Sequence, residues 1–203
     1  MIAQIHSGSV LGVCGLPVRV EVDLTPGMMV FSLVGLAGTA LAEAKTRVRS
    51  ALSNSGYHFP SRRVTVNLAP GDMPKDGTGL DLPIALGILE AGGLIPKGSL
   101  DDAMVIGELG LGGDIRPVDG ILPLVVMARE RGLTRVITDP ASAMEAVRVP
   151  GLQVYAAQSL VEIVEALTDG PGLHLCGQPV GCAPKPTYSD LSDVHGQESA
   201  VRA

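Results

Sequence analysis

The chain has 203 residues, 46% apolar and 18% charged, enough for one domain with a sizeable core plus something extra. Aromatics make up 2% and tryptophan is absent, so the core is built from Val, Leu, Ile, Ala and Met; a net charge of −6 excludes a globally basic nucleic-acid binder but leaves room for a local basic face. Three cysteines, Cys14, Cys176 and Cys182, are too few and too scattered for a disulfide framework.

The opening MIAQIHSGSVLG carries no basic n-region and no long apolar run, so no secretory leader is expected. No apolar stretch of about 18 residues occurs either, and the expectation is a cytoplasmic protein without a membrane partner. Residues 2–12, 17–24 and 28–36 read as strands, separated by Gly12 to Gly15 and by Thr25-Pro26-Gly27. Val18, Val20, Val22 and Leu24 alternate onto one buried face. Thr39 to Asn54 reads as a helix with Leu41, Ala44, Val48 and Leu52 on one stripe. Its opposite face holds Glu43, Lys45, Arg47 and Arg49, with Glu43 placed to support Arg47, and Arg62 and Arg63 follow before the next strand. Lys45, Arg47, Arg49, Arg62 and Arg63 form the most basic region of an acidic chain. They are either a solvated face or a contact for a partner or a phosphate backbone.

Asn67 to Leu89, NLAPGDMPKDGTGLDLPIALGIL, is the centre of the chain. Val64, Val66 and Leu68 lead into it as a half-buried strand, and Pro70, Gly71, Pro74 and Gly77 then forbid a regular element. Asp81 is placed to cap a helix that accepts Pro83 in its first turn and continues through Leu82, Leu86, Ile88 and Leu89. Small Ala85 and Gly87 allow that helix to pack closely. Lys75 and Asp76, beside Gly77 and Gly79, are either an anion-binding turn or a purely structural one. Asp72, Asp76 and Asp81 are conceivable ligands for a hard cation, although Asp81 already has a capping role.

Ala103 to Leu109 reads as a strand, Gly110 to Gly113 as a turn into Asp114 to Pro117, and Asp119 to Gly132 as a helix. Glu108 and Asp114 are solvated turn carboxylates or an acid/base pair. Arg135 to Thr138 is a strand, Asp139-Pro140 opens a helix to about Val147, and Gln153 to Ala156 is a strand. Ser159 to Leu167 is a helix capped by Ser159 with Glu162 at its third position. The alternation defines an α/β domain over residues 1–170. Residues 171–188 are Gly/Pro-rich and read as a linker, in which His174, Cys176 and Cys182 lack zinc-finger spacing. Ser189 to Ala203 starts a helix pattern and stops, as the first turn of something missing would.

No G-x-x-x-x-G-K-[ST], G-x-S-x-G or H-E-x-x-H motif occurs. The stretch NLAPGDMPKDGTGLDLPIALGIL resembles the amino-terminal domain of the magnesium-chelatase-like AAA+ ATPases, the ComM/YifB family. LGVCGLPVRVEVDLTPG, FSLVGLAG, TRVRSALSNSGYHFPSRRVTVNLAP and GELGLGGDIRPVDGILPLV resemble it too, and SDLSDVHGQESAVRA resembles the lead-in to that family's ATPase module. The resemblance implies that the motor, with its ATP and Mg, is cut away or on another chain, and that this chain itself holds no cofactor and no metal. It also implies hexameric rings formed through that module and work on DNA, including branch migration in natural transformation.

The same stretch is similar to the proteolytic domain of Lon-type proteases, implying a ribosomal protein S5 domain 2-like α/β fold. Those enzymes set a serine in a P-K-D-G-P-S-A-G turn and a lysine in a later G-G-L-K segment. Here Pro74, Lys75, Asp76 and Gly77 stand, but Gly79 occupies the serine position and Leu122 the lysine position. Neither side chain can do that chemistry, so Gly79 and Leu122 are a degenerate dyad expected to lie close together. The expected function is a non-proteolytic assembly or binding domain. The alternative is an active serine peptidase or hydrolase with an unrecognised nucleophile near residues 72–81.

Overall fold

The computed structural model describes residues 2–35, 39–73, 75 and 77–177, without the side chains of residues 39–42. Two long alternating segments set the architecture. β1 (Ile2–Leu11) and β2 (Cys14–Thr25) pair antiparallel along their whole length, Ile5 facing Val20 and His6 facing Arg19. β3 (Phe31–Val34) runs into α1 (Thr39–Asn54), which returns the chain to β4 (Arg63–Ala69), parallel to β3 and antiparallel to β2. After the central turn come α2 (Asp81–Ala91), β5 (Ala103–Val105), the hairpin β6 (Glu108–Leu109) and β7 (Ile115–Arg116), and α3 (Ile121–Glu130). β8 (Arg135–Thr138), α4 (Pro140–Ala146), β9 (Gln153–Ala156), α5 (Leu160–Thr168) and β10 (His174–Leu175) complete the described chain.

Among the described residues, one eight-stranded sheet has the order β10-β9-β8-β5-β1-β2-β4-β3. β5, β8 and β9 are parallel to one another, as their helical crossovers require. Period-2 alternation divides the core between the two faces. Ala103, Val105 and Ile137 join a first cluster with α2 and α5, while Met104, Val136 and Val154 join a second with α3 and α4. The first cluster extends under β1, β2 and β4 through Ile5, Val20, Val22, Val64 and Val66. On the other face of those strands lie Arg19, Glu21, Asp23, Thr65 and Asn67, none of them buried. The architecture is the mixed α/β one expected of an S5 domain 2-like fold.

Glycine sets two of the close approaches. A Cβ on Gly87 of α2 would lie 2.7 Å from Val22 Cγ2, and one on Gly15 of β2 would lie 2.3 Å from the carbonyl oxygen of Pro123 at the start of α3. All eleven residues of α2 are buried, so the helix is surrounded rather than amphipathic.

Three expected elements differ. The strand expected over 103–109 breaks after Val105: Ile106 N–H still donates to Ile137 O of β8 at 3.1 Å, but Gly107 turns to the central turn, its N–H donating to Gly79 O at 3.0 Å while Leu82 N–H donates to Gly107 O at 3.1 Å. The helix expected from Asp119 begins at Ile121, after Gly120 in the left-handed region at φ 74°. The linker expected from 171 opens instead with β10, whose His174 and Leu175 pair with Ala156 and Tyr155 of β9. The rest of that linker beyond 177, with Cys182, and the expected helix start over 189–203 lie outside the described residues. Among the described residues, no helix is long and apolar enough to cross a membrane.

Candidate functional site

The central turn is fastened from within. Lys75 is 1% exposed, and its Nζ donates to Gly35 O at 3.2 Å and to Pro70 O. Burial pulls its pKa below the usual lysine value, with Asp72 acting in the opposite sense. The ammonium therefore ties the turn to the end of β3, and Lys75 is not the exposed anion-binding group that the sequence allows. Asp76, the other charged member of that expected turn, lies outside the described residues, as does Pro74.

Asp81 departs from its expected role as well. The residue before α2 is Leu80, which makes no side-chain cap, and Asp81 is the first residue of the helix. Its fully buried carboxylate accepts from Arg47 Nε at 2.6 Å and Nη2 at 3.0 Å, and from Leu109 N–H at 3.4 Å. This bidentate fork spans α1 to α2 and reaches β6. The hydrogen bond to Asp81 raises the Arg47 pKa, and burial pushes the Asp81 carboxyl up while Arg47 and Leu109 pull it down. Glu43 adds the expected i,i+4 contact to Arg47 at 3.6 Å.

Beside this pair, the turn, β1 and the approach to α3 enclose a cavity of about 210 Å³ whose lining includes Ser9, Thr78, Gly79, Glu108, Val118 and Asp119. A Cβ on Gly79 would lie 3.2 Å from both Ile106 Cγ1 and Val118 Cγ1, so even a serine there would press on its neighbours. Gly79 thus meets Val118, a few residues before Leu122. Leu122 itself does not line the cavity; it is half-buried and packs against the second cluster. Thr78 Oγ1 donates to Glu108 Oε2. Glu108 also faces Arg116 at 3.6 Å, and Asp114 faces Arg116 at 2.9 Å, so both hairpin carboxylates share one cation. Thr78 neighbours Gly79 and was open to notice in the sequence. Ser9 comes from β1, and no spacing connects it to the turn.

The five basic residues separate. Arg47 is turned inward to Asp81 and has 18% of its side chain exposed. Arg49 is exposed, its guanidinium 4.8 Å from the Phe59 ring centroid and its Nη2 3.3 Å from Met29 Sδ. Lys45, one turn earlier on α1, is half-buried, and Arg62 and Arg63 are exposed at the start of β4. Arg62 also rims a groove of about 680 Å³ with Tyr57, His58 and Leu94. Met28 and Met29, 78% and 52% exposed, border this basic edge and escape the periodicity from which buried positions are read. Among the described residues, no group of three or more His, Cys, Asp or Glu stands close enough to hold a metal ion.

Comparison with known proteins joins these features to relatives. The family of subunit ChlI of Mg-chelatase matches residues 20–142, more than half of the chain. The competence protein ComM of Haemophilus influenzae is 38% identical over 207 aligned residues, covering 100% of this chain and 40% of that protein. YifB of Escherichia coli is 36% identical over 198 residues, covering 98% and 39%. Lon protease 2 of Bacillus subtilis is 28% identical over 105 residues, covering 50% of this chain and 18% of the protease. The chain spans about two fifths of the length of the first two relatives. With its S5-like fold and its match across the central turn, the chain belongs to the magnesium-chelatase-like ChlI family, within the group that includes ComM and YifB.

Proposed function

We propose that this chain is the non-proteolytic amino-terminal assembly or binding domain of a cytoplasmic magnesium-chelatase-like AAA+ ATPase that processes DNA, including branch migration during transformation. The observation that carries the non-proteolytic part is the cavity at Gly79: among the described residues no lysine lines it, and Gly79 brings no side chain to it. The name of the Haemophilus relative, a competence protein, supports the link to DNA uptake. ATP, Mg and the hexameric ring belong, on this reading, to a module outside this chain, since the sequence has no Walker motif. On this reading the domain includes β10 (His174–Leu175), and a linker to 188 and the lead-in to the ATPase from 189 follow it.

Lys45, Arg49, Arg62 and Arg63 are the residues proposed to meet DNA or a partner; Arg47, engaged by Asp81, is left out of that set. The decisive assay is peptide and casein hydrolysis by the purified chain. No cleavage is expected from wild type or from Gly79→Ser with Leu122→Lys. Cleavage by wild type that Thr78→Val abolishes would overturn this and favour the hydrolase alternative. That second reading has one observation on its side, the Thr78 hydroxyl donating to the Glu108 carboxylate within the cavity.

A further inference from the structure

On the sheet face away from α2, a second cavity of about 400 Å³ lies between β2 and the end of α3. Its lining includes His6, Arg19, Glu21, Met127, Arg131 and Leu133. The register places His6 directly opposite Arg19. Arg131 immediately follows α3, so two guanidinium groups from separate elements reach one cavity. Both residues are exposed, and neither has an ion-pair partner among the described residues. Among the described residues that line the cavity Glu21 is the only carboxylate, and it accepts from Asn67 Nδ2 at 2.9 Å.

We propose that this cavity binds a phosphate group through the guanidinium forks of Arg19 and Arg131, with His6 as an additional hydrogen-bonding group. A carboxylate has two oxygens and is satisfied by one fork; a phosphate has enough acceptor oxygens for both. Burial first, then Arg19 and Arg131, hold the His6 imidazole below its ordinary pKa, with Asp101 acting the other way. The ring is accordingly neutral near pH 7 and offers one donor and one acceptor. Met127 and Leu133 give the cavity an apolar wall, and its volume falls in the range of small-molecule sites. The phosphate therefore comes from an organic phosphate or from a nucleic-acid backbone. The site is independent of the assembly-domain reading and uses none of its proposed contact residues.

The test is calorimetry on the full chain at low salt, with inorganic pyrophosphate in one arm and an oligothymidylate lacking terminal phosphates in the other. Saturable binding of at least one ligand is expected, with movement of the His6 ring resonances. Arg19→Gln with Arg131→Gln should weaken that binding by about tenfold or more, as loss of charge-assisted forks implies. Arg49→Gln with Arg62→Gln should leave pyrophosphate affinity unchanged. Binding of pyrophosphate alone identifies a small phosphate ligand; oligonucleotide binding lost in the Arg19/Arg131 double variant identifies a backbone phosphate. If the Gln pair fails to fold, Arg19→Lys with Arg131→Lys keeps the charge, removes the forks and should still weaken binding. Absence of saturable binding in both arms, or equal affinity in a folded double variant, overturns the assignment.

Discussion

Asp81 has no solvent of its own, and Arg47 is the cation that makes its burial tolerable. Removing one member of such a pair strands the other charge in a low-dielectric site, which costs far more than the pair gains. Arg47→Ala is therefore expected to lower unfolding stability by about 3–5 kcal/mol, measured by urea denaturation. Arg47→Lys should recover only part of that loss, because one ammonium cannot span both carboxylate oxygens as the fork does. Equal stability of Arg47→Ala and wild type would rule out a structural role for the pair. The sequence showed both residues but not their meeting. Asp before Leu-Pro has the pattern of a cap, and Arg47 lies two residues from both Lys45 and Arg49, about 200° away from them around α1. That spacing separates Arg47 from its basic neighbours, but only the fold, which brings together residues 34 positions apart, shows Asp81 to be its partner. Lys75 is the parallel case: its place beside Gly77 suggested an anion site, and its carbonyl partners are set by tertiary structure alone.

The elements that carry the basic edge are the exposed side of α1 and the first residues of β4. If Lys45, Arg49, Arg62 and Arg63 all meet phosphates, neutralising them should reduce the salt slope of DNA binding by about three to four, since each phosphate contact contributes nearly one unit. The assay belongs on the full-length protein, titrated across salt; an unchanged slope would leave these residues as a solvated face. A second prediction concerns the joint between β5 and β8. Asp102, just before β5, accepts from Arg135 Nε at 2.9 Å and from Thr134 Oγ1, and the Arg135 hydrogen bond holds its pKa below the usual value. A depressed carboxyl stabilises the fold above its unfolded pKa of about 3.9, and that contribution is lost as pH falls through the lower folded value. Asp102→Asn should thus be less stable than wild type at pH 5, with the gap closing towards pH 2.5. The gap should be small because the Asp102 side chain is 47% exposed. Local chemistry announced several elements well: Asp139 accepts from Ala141 and Ser142 N–H to cap α4, and Ser159 accepts from Glu162 N–H to cap α5. The break at Ile106–Gly107 was not legible, because its cause is a hydrogen-bonded docking against Gly79 far away in the chain.

Across the whole molecule, strand alternation and helix stripes were enough to indicate an α/β domain, since each strand of the β5-β8-β9 group shares its residues between two helical layers. The far edge was not readable. β10 has only two residues, in a Gly/Pro-rich stretch without a period, and it exists because β9 offers it an edge. A chain ended at residue 170 should lose this strand and the packing of Leu173 and Cys176, at a cost of about 1–2 kcal/mol relative to one ended at 177. Equal denaturation midpoints would show that β10 adds nothing. The burial of α2 on every side has another consequence, in amide hydrogen exchange. A helix with no exposed residue and a sheet beneath it should exchange only when the entire domain opens, so its slowest amides should report global stability. Any ligand or partner that binds the folded state then slows exchange in α2 by the same factor, wherever on the surface it binds. Leu86 and Ile88, with 0% and 1% exposure, would serve as an internal gauge of binding at sites they never touch.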